Sequence, residues 1–209
     1  MSNKVWYASY GSNLNRQRFT CYISGGTPPG ATHRNPGCID KTQPSDSRPI
    51  LLDFDLYFAW FSKSWGGAPA FIRPGTLSVT YGRMYLISDD QFNDIVRQEN
   101  GMEVNGKRFV PPFDELRKTE SFVLPGDRLY GLLLNVDTVD GWPVITFTTP
   151  SSDLKIGAPS KAYTKVIVTG LKETYPAMTS KEICRYLLRA EGVRERIPAH
   201  ELLRWVQEV

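Results

Sequence analysis

At 209 residues the chain is long enough to bury the core of one large domain. Its formal net charge of +3 speaks against a nucleic-acid partner, which calls for a concentrated basic face interleaved with stacking aromatics. Arg185, Arg189, Arg194 and Arg196 do gather late, but Glu191 and Glu195 interrupt them, as on a solvated helix face.

The three cysteines, Cys21, Cys38 and Cys184, are far apart and lack metal-type spacing, which fits a reducing cytoplasm without a disulfide framework. The two histidines, His33 and His200, sit in no motif and are expected at the surface. No metal or other cofactor is implied. No apolar core follows Met1-Ser2-Asn3-Lys4, and no apolar run approaches membrane-spanning length. The expectation is a soluble, cytoplasmic protein with no membrane partner; its oligomeric state is left open.

Val5-Trp6-Tyr7-Ala8-Ser9-Tyr10 reads as a short buried strand rich in aromatics. Gly11 then provides the freedom for a sharp turn. Ser12 and Asn13 are both good N-caps for a helix from Leu14 to Ile23, stopped by Gly25-Gly26. Such a corner leaves backbone N–H groups pointing one way, so it can bind an anion or an oxyanion; it equally fits a plain helix cap after a strand.

Proline and glycine then recur from Thr27-Pro28-Pro29-Gly30 through Asn35-Pro36-Gly37 to Pro44 and Pro49, which predicts a long loop. From Ile50 to Trp60 the period-two alternation predicts a strand. Ser64-Trp65-Gly66-Gly67 is a turn into a short strand from Ala68 to Arg73. Pro74-Gly75 is another turn, and Leu77 to Ile87 alternates again. These turns are too short for crossover helices, so one mixed or antiparallel sheet is expected.

Ser88 with Gln91 forms a capping box, opening a helix that carries Phe92, Ile95, Val96 and Glu99 on one face. A carboxylate on a core-facing stripe is costly unless it is paired or reaches a pocket. The alternative is that the helix ends near Gln98 and Glu99 is simply solvated. Glu103 is a second carboxylate nearby. Strands are predicted over Leu129 to Val136 and Val144 to Thr149, with a turn at Asp140-Gly141-Trp142-Pro143. Ser160 can cap a helix with Tyr163, Val166, Ile167 and Gly170 on one face. Thr179 with Glu182 is a second capping box, and a last helix runs from Pro198.

Three of these segments, in this order, resemble the γ-glutamylcyclotransferase-like family. Tyr7-Ala8-Ser9-Tyr10-Gly11-Ser12-Asn13-Leu14 resembles its opening signature. Ala68-Pro69-Ala70-Phe71-Ile72-Arg73-Pro74-Gly75 resembles the hairpin before its catalytic helix, which ends here at Arg97-Gln98-Glu99-Asn100-Gly101. Pro159-Ser160-Lys161-Ala162-Tyr163 resembles its late Pro-Ser-x-x-Tyr segment. Ser9 and Asn100 depart from the family's smaller residues, and the stretch from Pro28 to Pro49 and the tail beyond Ser180 find no counterpart.

The resemblance implies an α+β fold, a mixed and largely antiparallel barrel-like sheet flanked by helices. It suggests one domain over 1–209, with residues 180–209 as a C-terminal helical extension packed on it. It implies an enzyme that cyclises a γ-glutamyl amide to 5-oxoproline, releasing an amine or amino acid. Glu99 would be the general acid/base, with Tyr10, Gly11, Ser12, Asn13, Leu14 and Tyr163 binding a small-molecule γ-glutamyl substrate. The substrate's own amino group is the nucleophile, so no Ser, Cys or metal nucleophile is needed. Tyr163 fits an ordinary core tyrosine equally well. Two other readings stand beside it. One is a non-catalytic protein of the same fold that binds an acidic metabolite. The other, a Ser12-dependent hydrolase, lacks the Gly-x-Ser-x-Gly elbow and would need His33 or His200.

Overall fold

The computed structural model describes residues 3–28, 34–74 and 78–209. His33, the middle of the expected proline-rich loop, the Gly75 side of the second turn and the predicted strand start at Leu77 lie outside the described residues.

The first strand, β1 (Lys4–Ser9), lies inside a mixed sheet and is buried on both faces. Its odd and even residues therefore serve two different cores. Trp6 and Ala8, with Tyr10 beyond the strand's end, enter one; Val5 and Tyr7 enter the other. A 3₁₀ turn (Ser12–Leu14) leads into α1 (Arg16–Ser24). The cap differs from the expected one. Asn15, not Ser12 or Asn13, is the N-cap, its side chain accepting from the Arg18 N–H at 2.8 Å. The helix thus starts two residues later than predicted, and Asn13 is free to turn its amide inward.

The single strand predicted from Ile50 to Trp60 is two. β2 (Asp46–Leu52) is an edge strand of the main sheet and takes Pro49 into its length, which an edge position tolerates. After Asp53 the chain leaves that sheet as β3 (Phe54–Phe58), paired with β4 (Ala70–Pro74) in a separate two-stranded ribbon. Alternation reports the pleat and survives a one-residue break, so the sequence pattern ran through the change of sheet. The ribbon is fixed to the main sheet by the Ile72 N–H, which donates to Thr148 Oγ1 at 3.1 Å. The same hydroxyl donates back to the Ile72 carbonyl at 2.8 Å.

β5 (Thr80–Ser88) leads to α2 (Asp89–Glu99), whose capping box has both reciprocal bonds. The short α3 (Phe113–Leu116) and β6 (Ser121–Val123) precede the hairpin of β7 (Leu132–Val139) and β8 (Trp142–Thr148). The turn there is only Asp140 and Gly141, both at positive φ (52° and 76°), while Trp142 and Pro143 already belong to β8. The six-stranded sheet has the order β2-β5-β1-β8-β7-β6; the β1–β8 pair is parallel and the others antiparallel.

α4 (Lys161–Thr174), capped by Ser160, α5 (Ser180–Leu187), opened by the Thr179 capping box, and α6 (Ala199–Gln207) complete the fold. Residues of α4 to α6 share the core on one face of β1 with Trp6 and Ala8. Residues of α1, α2 and α3 share the other with Val5 and Tyr7. The result is an α+β fold with a mixed sheet between two helical layers. Among the described residues no helix is long and apolar enough to cross a membrane.

α4 is held tightly to the N-terminal corner. Glu173 accepts from Asn15 Nδ2 (3.1 Å), from the Arg16 N–H (3.0 Å) and from Arg83 Nη1 (3.0 Å). Gly170 makes the approach possible, because a Cβ there would collide with the Asn15 nitrogen and the Leu14 carbonyl carbon. Ala in place of Gly normally gains up to about 1 kcal/mol inside a helix. Overpacking costs about 1–3 kcal/mol. Gly170→Ala should therefore lower the melting temperature by several degrees, since each kcal/mol moves it by about 2–4 °C in a domain this size; a melt at or above that of the wild type would refute the close packing.

Candidate active site

Tyr10, at the end of β1, is buried and donates its hydroxyl to the Phe147 carbonyl at 2.8 Å, so it braces the corner from below. Gly11 follows with backbone angles outside both the helical and the extended regions (φ −107°, ψ −137°). A Cβ on it would lie 3.0 Å from the Tyr163 hydroxyl, so glycine lets α4 bring that hydroxyl up to the turn. The Tyr163 oxygen accepts from the Ala70 N–H at 3.2 Å. Burial, the largest influence, pushes its pKa up to about 12, so it remains a neutral hydroxyl.

The corner offers fewer free donors than the sequence suggests. The Leu14 N–H donates to the Gly11 carbonyl at 3.1 Å, and the Leu14 side chain lies in the core. Leu14, expected in the binding site, lines neither cavity described below. The reason is the 3₁₀ turn, which uses this N–H internally.

Asn13 points the other way. Its Nδ2 donates to Glu99 Oε1 at 3.0 Å and to the Tyr7 hydroxyl at 3.2 Å, while its Oδ1 is buried without a partner among the described residues. Turned over, the same amide would accept from a protonated carboxyl, so Asn13 can serve Glu99 in either protonation state.

Glu99 closes α2. The preceding turns seat Phe92, Ile95 and Val96 in the core, and the same face carries the carboxyl inward to the corner. Desolvation raises its proton affinity above the ordinary carboxylate value. The Arg18 charge, then hydrogen bonds from Tyr22 and Asn13, pull in the opposite direction without cancelling it. Tyr7, Tyr10, Tyr130 and Tyr163 stand around the carboxyl as buried hydroxyls, each held protonated first by burial and further by the Glu99 charge.

Two cavities meet here. An inner one of about 60 Å³ is walled by the corner, Tyr7, Tyr163 and Glu99. An outer one of about 500 Å³ opens past Trp60, Asn35 and Arg128. Arg18, Trp65, Pro69, Glu99 and Tyr130 border both and form the throat. The outer volume is in the range of small-molecule sites.

Of the residues singled out in the sequence, Tyr10, Gly11, Ser12, Asn13, Tyr163 and Glu99 come together. Glu103 is exposed, and its carbonyl accepts from Arg97 Nε at 2.7 Å. His200 is exposed on α6 and lines neither cavity. Tyr7, Arg18, Tyr22, Trp65 and Tyr130 were missed as site residues. For Arg18 the signal existed: it is a charge on the same α1 face as Phe19, Tyr22 and Ile23, the pattern that drew attention to Glu99.

No family model matches the chain. It is 33% identical over 187 residues to histone deacetylase 5 of Arabidopsis thaliana, a match that takes in 81% of the chain; the chain spans 28% of that protein's length. Among solved structures it is similar to a γ-glutamyl cyclotransferase, with a TM-score of 0.55 and 15% identity over 99% of the chain and 100% of that protein. It is also similar to an uncharacterised protein from Homo sapiens, with a TM-score of 0.51 and 19% identity over 84% and 83%. The chain has the γ-glutamyl-cyclotransferase-like fold.

The raised proton affinity of Glu99 has a stability consequence with a definite sign. Well below the ordinary carboxylate value the side chain is protonated folded or unfolded, and Glu99→Gln should melt with the wild type. As pH rises through that value and then through the higher folded one, the unfolded chain releases its proton first, so the wild type loses stability that the Gln variant keeps. Melting curves from pH 3 to 8 should diverge in favour of Glu99→Gln; parallel curves would show that the carboxyl is not perturbed by burial.

Proposed function

We propose that the protein is a cyclotransferase that converts a γ-glutamyl amide into 5-oxoproline and a free amine or amino acid. What carries the reading is the Glu99 carboxyl, partly buried at the throat between a small and a large cavity and hydrogen-bonded by Asn13 at 3.0 Å.

The substrate's glutamyl half occupies the inner cavity and throat, and its amine half extends into the outer one. Folded back on itself, the α-amino group faces the γ-carbonyl carbon. Holding that geometry is a large part of the catalysis, since oriented intramolecular reactions reach effective molarities of about 10⁵ M or more. Ionised Glu99 takes a proton from the α-ammonium group. The freed amine adds to the γ-carbonyl, forming the ring C–N bond and an oxyanion. Glu99 then gives its proton to the amide nitrogen, the original C–N bond breaks, and the carbonyl reforms as the amine leaves. The ring nitrogen gives up its second proton through Glu99 to the released amine, which ends as an ammonium ion. No proton is gained or lost overall.

A carboxyl whose proton affinity is raised above the usual range suits both halves of this transfer. The N–H groups of Gly11 and Asn13, residues of the inner cavity wall, would meet the oxyanion, while Tyr7, Tyr10 and Tyr163 shape the same wall. The aromatic throat keeps water from competing as nucleophile.

Removal of a general acid/base costs about 10²–10⁴-fold. Glu99→Gln should therefore reduce 5-oxoproline release from a panel of γ-glutamyl amides by about that factor, with the fold retained by circular dichroism. Undiminished release in the folded variant would end the role given to Glu99. A wild-type protein stabilised by glutamate-like ligands yet turning over none of the panel would instead be a binding protein.

A further inference from the structure

Arg18 is the cation that borders both cavities, and its surroundings are unusual for a buried charge. Its side chain is 9% exposed. The guanidinium lies between two aromatic faces, 5.1 Å from the Tyr22 ring centroid and 5.0 Å from that of Trp65. Its hydrogen bonds go to neutral acceptors: Nη2 donates to the Tyr22 hydroxyl at 3.2 Å, and Nη1 to Asn35 Oδ1 at 3.5 Å. Nε is buried without a partner among the described residues, and no carboxylate among them reaches ion-pair distance.

A buried charge is expensive unless a counter-charge or a full set of hydrogen bonds meets it, and a guanidinium has five N–H donors to satisfy. Arg18 donates to the Tyr22 hydroxyl, and that hydroxyl in turn favours the ionised form of Glu99. Yet Arg18 borders both cavities. The corner, moreover, has already committed its Leu14 N–H to the Gly11 carbonyl. A negatively charged ligand entering the throat thus meets an under-coordinated, sterically fixed fork.

We infer that Arg18 is a binding residue that anchors a substrate carboxylate at the throat between the two cavities. The aromatic sandwich fixes the plane of the guanidinium, which suits bidentate recognition of a planar carboxylate and which a lysine ammonium cannot reproduce. A γ-glutamyl conjugate has one such group on its glutamyl half, and a second when the amine half is an amino acid. The identity of the ligand rests on the cyclotransferase reading; the anion site does not.

The test combines binding with turnover. Calorimetry with glutarate and with its uncharged analogue glutaramide is run on the wild type, Arg18→Met and Arg18→Lys, each checked for folding by circular dichroism. Glutarate should bind the wild type and lose about 10- to 100-fold in affinity in Arg18→Met, with Arg18→Lys also weakened; glutaramide should bind none of them measurably. KM for γ-glutamyl-alanine and γ-glutamyl-ethylamine then names the source of the carboxylate. A rise for both assigns the glutamyl half, and a rise for the alanine conjugate alone assigns the amine half. Glutaramide binding as tightly as glutarate overturns the inference. So does unchanged glutarate affinity in either folded variant, and Arg18→Lys decides the matter if Arg18→Met does not fold. Arg18-dependent glutarate binding without any 5-oxoproline release leaves the anchor standing and removes the cyclotransferase. Normal turnover with unchanged KM in the variants does the reverse.

Discussion

A carboxyl group taken out of water sets the terms for this molecule. Glu99 sits where desolvation opposes its charge, and three groups from two other elements keep it usable: the Asn13 amide, the Tyr22 hydroxyl and the Arg18 guanidinium. None of them is its neighbour in sequence. The 3₁₀ turn, α1 and the end of α2 must therefore meet within hydrogen-bond reach. The sheet supplies the depth for this, with β1 buried on both faces so that the corner at its end lies inside the protein.

The same constraint explains the close contacts around the corner. The Tyr163 hydroxyl can stand over the turn because residue 11 has no side chain, and α4 can come near enough because residue 170 has none. Glu173 then fastens the helix to Asn15, Arg16 and Arg83. The tyrosine is thus both a wall of the inner cavity and the acceptor for the backbone N–H of Ala70. Losing its oxygen would leave that buried donor unmet, so its structural and site roles are one role.

Where local chemistry decides an outcome, the sequence was readable. The capping boxes at Ser88 and Thr179 and the cap at Ser160 start their helices as expected, and the stripe of Phe92, Ile95 and Val96 carries Glu99 to the interior. Where the outcome depends on what a segment packs against, it was not. Asp53 marks the passage from one sheet to another, yet the alternation on either side keeps the same parity. Asn15 outcompetes Ser12 and Asn13 as cap because the tight turn precedes the helix, which no pattern of residue types announces. The outer cavity draws Trp60 and Trp65 together with Asp127 to Tyr130, stretches whose meeting only the tertiary fold specifies. Arg18 was legible in principle and overlooked, since an arginine beside polar neighbours near a helix start reads as solvated until its face is compared with Phe19, Tyr22 and Ile23.

Three bonds that tie the site together span long stretches of chain: Asn13 to Glu99 across 86 residues, Ala70 to Tyr163 across 93, and Tyr10 to Phe147 across 137. Such contacts form late, after the loops between them have closed. A ribosome-bound chain that has emerged only as far as α2 already holds the carboxyl, but in water, with the acidity of any surface glutamate. The desolvated carboxyl thus exists only once the tertiary structure is complete.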